Sequence, residues 1–163
     1  MTAALCACSH ELPDPTRVAP VTPISGSAAE SMLANGSSAS YAVNHASRIV
    51  LSGLSRVNRS DATRPSLDLR IDALDRAGAP ARTAGVFRIE VRTEADPALL
   101  NFDIPLLTPA AQAARFDTVL SQYVLRVEPQ WTRAPALGAS ISVTVTLVTQ
   151  ADTTLTTSNT IRW

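Results

Sequence analysis

Residues Ala139–Thr149 read ASISVTVTLVT, and this stretch leaves the chain few options. Ile141, Val143, Val145 and Leu147 alternate with Ser140, Ser142, Thr144 and Thr146. A period of two with β-branched residues on both faces specifies a strand, because a helix would scatter the apolar set around its circumference. One face is apolar and needs a second layer against it, while the other is hydroxylated and suits water.

Other segments repeat the pattern. Leu67–Asp75 (LDLRIDALD) sends Leu67, Leu69, Ile71 and Ala73 one way and Asp68, Arg70 and Asp72 the other. Val86–Arg92 alternates Phe87, Ile89 and Val91 with Arg88, Glu90 and Arg92. These two strands are expected to pair across the turn Asp75-Arg76-Ala77-Gly78, in which Gly78 supplies a positive φ, so that their outward charges become cross-strand neighbours. Gln122–Glu128 turns Tyr123, Leu125 and Val127 inward, Pro129 ends it, and Trp131 follows as a core anchor. A tight connection at Gln150-Ala151-Asp152 leads to a closing strand, Thr153–Trp163, with Leu155, Ile161 and Trp163 inward. Arg48–Ser52 is a short buried strand, Val57–Ser66 a polar loop, and Leu99–Leu106, with Pro105 inside, an edge strand. Thr108-Pro109 starts a short Ala-rich helix over 109–115, with Thr as cap and Pro at the first helical position. Seven or eight strands with turn signals between them give an all-β, antiparallel sandwich over residues 46–163.

Composition removes several functions. The formal net charge is +0, which argues against a nucleic-acid binder that relies on neutralising phosphates. Aromatic residues make up 4%, too few for an extended base-stacking surface. All 14 basic residues are Arg, an imbalance that coding bias explains more simply than selection for guanidinium chemistry. No apolar run approaches the ~20 residues of a membrane-spanning helix.

Both cysteines, Cys6 and Cys8, lie in the first ten residues, so the body contains no thiol and no internal disulfide. Three readings of this terminus stay open. Cys6, Cys8 and His10 form C-x-C-x-H, soft ligands at alternate positions but short of a fourth. A plain terminus is the second reading. The third is carried by Leu5-Cys6-Ala7-Cys8, with Leu three residues and a small Ala one residue before Cys8. This motif resembles the bacterial lipoprotein signal, which implies lipid on the Cys8 sulfur and a new N-terminus there. The charged and apolar segments that precede such a motif are missing, so a start codon assigned too late is expected, with the remainder of a signal encoded upstream. Residues 1–8 would then be a signal remnant. Residues 9–45, with Pro13, Pro15, Pro20 and Pro23 ahead of a Ser/Ala/Gly-rich run, would be a tether that holds the body off the membrane.

The layout of the body resembles the immunoglobulin-like or C2-like sandwich modules of bacterial envelope proteins, and it lacks the Cys…Trp…Cys signature of antibody domains. The resemblance carries no catalytic residue. Only His10 and His45 could serve as an imidazole base, and no G-x-S-x-G elbow or phosphate loop accompanies them. Asp68 and Asp72 share a strand face about 13 Å apart, beyond the spacing of glycosidase carboxylates. Asp61, Asp75 and Asp152 occupy turns, where a C2-like calcium cluster would draw its ligands and where Asp is also ordinary turn chemistry. Thr144, Thr146, Thr149, Thr153, Thr154, Thr156 and Thr157 suggest a hydroxyl-rich face, either simply solvated or a platform for glycan or protein contact. The expectation is a lipid-anchored, non-catalytic module of the cell envelope, without cofactor or nucleic-acid partner, acting in adhesion, scaffolding or as an accessory. The alternative is a small sandwich that binds carbohydrate or calcium.

Overall fold

Nine strands and one short helix form among the residues that the structure, a computed structural model, describes: 45–61, 64–95 and 99–163. Cys6, Cys8, His10 and nearly all of the expected tether lie outside the described residues.

The first sheet is built on β3 (Ser66–Leu74) and β7 (Gln122–Val127). Along the free side of β3, β1 (Arg48–Leu51) pairs with its far half and β2 (Arg56–Asn58) with its near half. The two-residue β6 (Phe116–Asp117) borders β7. The second sheet runs in the order β5 (Leu100–Leu106), β4 (Gly85–Thr93), β8 (Ser140–Thr149), β9 (Thr154–Arg162). Every strand pair in both sheets is antiparallel. The body is therefore the two-sheet sandwich that the alternating stretches require. Two strands too short to show a period, β2 and β6, add to the seven longer ones.

Packing follows the inward faces. Ile141, Val143, Val145 and Leu147 of β8 are fully buried, as are Leu67, Leu69 and Ile71 of β3 and Tyr123, Leu125 and Val127 of β7. Phe87, Ile89 and Val91 of β4 complete the facing layer. Each such side chain contributes about 1.5–3 kcal/mol by leaving water. At one side the sheets approach closely enough for the Leu51 amide to donate to Thr157 Oγ1 at 3.3 Å.

The expected pairing of β3 with β4 does not occur, because β3 lies beside β1, β2 and β7 and β4 beside β5 and β8. Both strands carry an apolar face that needs a facing layer, and placing them in different sheets lets each cover the other. The connection makes that crossing. It turns at Gly78 (φ 84°), is held where the Ala81 amide donates to the Ala73 carbonyl at 2.8 Å, and is pinned where the Thr83 amide donates to Tyr123 Oη at 3.0 Å. Asp68, Arg70 and Asp72 consequently face β7 partners and not Arg88, Glu90 and Arg92.

Pro105 sits in β5, an edge strand, where its missing N–H breaks no inner ladder. Helix α1 (Pro109–Ala113) is capped by Thr108, whose Oγ1 accepts from the Ala111 amide at 3.2 Å. It lies between β5 and β6, at the end of the sandwich where β3, β5 and β8 finish. The opposite end, where β3 and β8 begin and β7 and β9 finish, carries the loops that follow β2 and β7.

Candidate functional site

The carboxylates singled out as calcium candidates do not converge. Asp75 follows β3 and Asp152 lies in the β8–β9 turn, both at the end closed by α1. Asp61 precedes β3 and lies at the other end, about 30 Å away by strand rise over the 9 residues of β3. Each is tied into its own turn. Asp75 Oδ1 accepts from the Ala77 and Ala79 amides at 2.8 and 2.9 Å, and Asp61 Oδ1 accepts from the Arg64 amide at 3.2 Å. Asp152 takes a left-handed backbone (φ 55°) in a turn closed by its amide on the Thr149 carbonyl at 3.1 Å. Among the described residues no three His, Cys, Asp or Glu side chains come together. His45 shares a shallow surface depression with Asp75, Arg76, Thr153 and Leu155.

Asp68 and Asp72 belong to a grid of charges on the outer face of the first sheet. The register aligns Arg56, Asp68 and Arg126 in one row and Arg70 with Val124 in the next. Arg126 Nε donates to Asp68 Oδ1 at 2.7 Å, Arg70 Nη1 to Asp117 Oδ2 at 3.2 Å, and Gln122 Nε2 to Asp72 Oδ1 at 2.8 Å. Hydrogen bonding to Asp68 raises the Arg126 pKa, whereas burial, with Arg126 nearby, lowers that of Arg115. These acids are held by neighbours rather than aimed at a shared point, which is a geometry for stiffness.

The hydroxyl face exists on the second sheet, with corrections to its membership. Across β8 and β9, Ser142 faces Thr160, Thr144 faces Ser158, and Thr146 faces Thr156, whose Oγ1 atoms lie 3.2 Å apart. Thr149 is buried and Thr157 points inward to accept from Leu51, so neither joins the ladder. On β4 the same face continues as Arg88, Glu90 and Arg92. Arg88 lies 3.8 Å from Asp103 of β5, whose carboxyl burial pushes above its ordinary value against the opposing pull of Arg88.

The feature with the shape of a ligand site is at the end away from α1. Arg64 and Pro65 before β3, Glu128, Pro129, Gln130 and Trp131 after β7, and Trp163 after β9 enclose a groove of about 460 Å3. That volume falls in the range of small-ligand pockets. Trp131 and Trp163 meet edge to face, with ring centroids 5.7 Å apart, and the Arg59 guanidinium lies 5.1 Å above the Trp163 ring. Trp163 is locked by its amide on the Ala139 carbonyl at 2.7 Å and by the Gly138 amide on its own carbonyl at 2.6 Å. Trp131, expected as a core anchor, packs against the core and also forms the groove wall. Its Nε1–H is buried and has no hydrogen-bond acceptor among the described residues.

Sequence reasoning singled out neither Arg64, Glu128 nor Gln130. The available signal was positional: each tryptophan comes within four residues after an alternating strand, and the stacking of the two sheets brings those two strand ends together. No helix among the described residues is long and apolar enough to cross a membrane. Compared with protein-family models, with curated proteins and with solved structures, the chain shows no match.

Proposed function

We propose that this protein is a non-catalytic β-sandwich module of the bacterial cell envelope, anchored through lipid on Cys8 and working in adhesion, scaffolding or as an accessory. The observation that carries the reading is the polarity of the body. The chain enters the fold at His45 and Arg48, beside Leu74 at the end closed by α1, and the tryptophan-lined groove opens at the opposite end. A body attached through its N-terminus thus carries that groove at the end farther from its point of attachment. The Leu5-Cys6-Ala7-Cys8 motif and the Pro- and Ser-rich residues 9–45 supply the anchor and the spacer of this reading.

Metabolic labelling of the full-length product with a fatty-acid probe in a bacterial host tests the anchor. Label is expected on the native chain and on a Cys6→Ala variant, and is lost with Cys8→Ala. A chain that takes up no label refutes the anchor.

The second reading, a small ligand-binding sandwich, is favoured by the groove itself, which combines the half-buried Trp131 indole with donors and an acceptor at its rim. Calcium is the weaker form of that reading, since Asp61 is separated from Asp75 and Asp152 by the length of the sandwich.

A further inference from the structure

We infer that the groove lined by Trp131 and Trp163 is a binding site for a neutral saccharide. The inference rests on the ligand-binding reading and is independent of the lipid anchor.

Three properties of the groove choose the ligand class. The first is shape: the indole of Trp131 is half-buried, with Pro65, Pro129 and Ala134 beside it, giving a flat apolar wall rather than a deep hole. Such a wall suits the C–H face of a pyranose ring, which is apolar and planar on the scale of an indole. The second is charge. Arg64 and Glu128 line the same groove and Arg59 stands over the Trp163 ring at its border, so charges of both signs face any occupant. A carboxylate or phosphate ligand meets the Glu128 charge, and an ammonium meets that of Arg64. An uncharged ligand meets neither penalty. The third is hydrogen-bonding capacity. Arg64 only donates, ionised Glu128 only accepts, and Gln130 does both. A ring bearing several hydroxyls, each donor and acceptor at once, satisfies all three together.

Competing occupants fit less well. A proline-rich peptide would use the aromatic wall but leaves Arg64 and Glu128 with backbone carbonyls and few donors. A nucleic-acid base would stack, yet its phosphates are opposed by Glu128 in a chain of zero net charge.

The test exploits composition: the chain has 2 tryptophans, Trp131 and Trp163, and both belong to the groove, so intrinsic fluorescence reports on this site. The full-length chain carrying Cys8→Ala, which cannot be lipidated at that position, is titrated with cellotetraose, xylotetraose and triacetylchitotriose. Trigalacturonic acid and a proline-rich peptide serve as the charged and peptide arms. At least one neutral sugar is expected to give a saturable change with Kd of about 1 mM or tighter. Trp131→Ala should weaken it at least tenfold by calorimetry, and Thr156→Ala, on the hydroxyl ladder, should not alter it. Should Trp131→Ala fail to fold by circular dichroism, the Arg64→Ala, Gln130→Ala double variant carries the same expectation. The inference is overturned if no neutral sugar binds up to about 10 mM. It is equally overturned if only the acidic sugar or the peptide binds, or if sugar binding survives the groove variants unchanged. None of these outcomes bears on the lipid label, so the two readings fail separately.

Discussion

Arg126 grips Asp68 across the β3–β7 ladder with two bonds, Nε to Oδ1 at 2.7 Å and Nη2 to Oδ2 at 3.3 Å. Asn58 Nδ2 donates to the same carboxylate at 3.1 Å, which ties β2 into the sheet. Asp68 is buried and Arg126 keeps a quarter of its side chain in water, so the pair stands between a surface and a core ion pair. Asp68→Ala removes the acceptor from three donor groups on two residues and is expected to cost about 1–3 kcal/mol in urea denaturation. A double-mutant cycle with Arg126→Ala should show coupling, and additivity of the two losses would deny it.

Tyr123 closes the end of the sandwich that α1 occupies. Its ring is fully buried between Phe87 and Phe116, at centroid distances of 5.3 and 5.2 Å. Its hydroxyl accepts from the Thr83 amide at 3.0 Å and donates to the Thr83 carbonyl at 3.3 Å. Tyr123→Phe keeps the packing but leaves both Thr83 groups without this partner. A loss of about 1–3 kcal/mol in unfolding free energy is expected, and a neutral outcome would mean the crossing loop is not held there.

Gly85 starts β4, between β5 and β8 of the second sheet. A Cβ at this position would collide with the Val148 carbonyl oxygen and come within 2.8 Å of Leu147 Cδ1 and 3.2 Å of the Thr149 Cα. Two of these neighbours are backbone and cannot turn aside, so Gly85→Ala should destabilise by about 1–3 kcal/mol. Gly53→Ala is the control, because nothing lies within 4 Å of its Cβ. It should be neutral or gain up to about 1 kcal/mol through the unfolded chain. Paired thermal melts distinguish the two.

Asp117 supplies a pH dependence of known sign. Its carboxylate accepts from the Leu120 amide at 3.1 Å, the Val119 amide at 2.9 Å and Arg70 Nη1 at 3.2 Å. These donors, the Leu120 amide foremost, hold its pKa below the ordinary 3.8. The folded state therefore binds this proton less readily than the unfolded chain. The stability Asp117 contributes is present above about pH 3.8 and is lost as pH falls through the lowered folded value. Asp117→Asn should be less stable than the native chain at neutral pH, and the gap should narrow below that point. Urea midpoints measured at both pH values check it, and a gap that widens in acid contradicts the assignment.

The inward faces of β3, β4, β7 and β8 were legible because each runs long enough for a period of two to stand out. β2 and β6 were not, since three and two residues carry no period, and they form only because β3 and β7 offer free edges to fill. Strand partnership was illegible for a different reason: Leu67–Ile71 and Phe87–Val91 present equivalent apolar faces, and nothing local states whether two such faces lie side by side or opposite. The groove shared that fate. Trp131 and Trp163 are conspicuous in sequence, but Arg64, Glu128 and Gln130 look like ordinary turn residues until β3 and β7 pair and bring their loops together. Thr149 and Thr157 show the limit of reading hydroxyls as solvent-facing, because strand position and not residue type decides their side.

The inner side of β9 places Thr157 and Asn159 between Leu155 and Ile161, so its midpoint offers little grease to the opposing layer. This border ribbon is clasped at its tips by apolar packing, of Leu155 at one and of the Ile161–Trp163 pair at the other, and between them by a polar contact, Thr157 Oγ1 accepting from the Leu51 amide. Amide protons there should trade with deuterium sooner than those at either tip. Whatever loosens the indole pair would also unfasten the margin of the second layer, because Trp163 directly follows β9 and packs on Trp131.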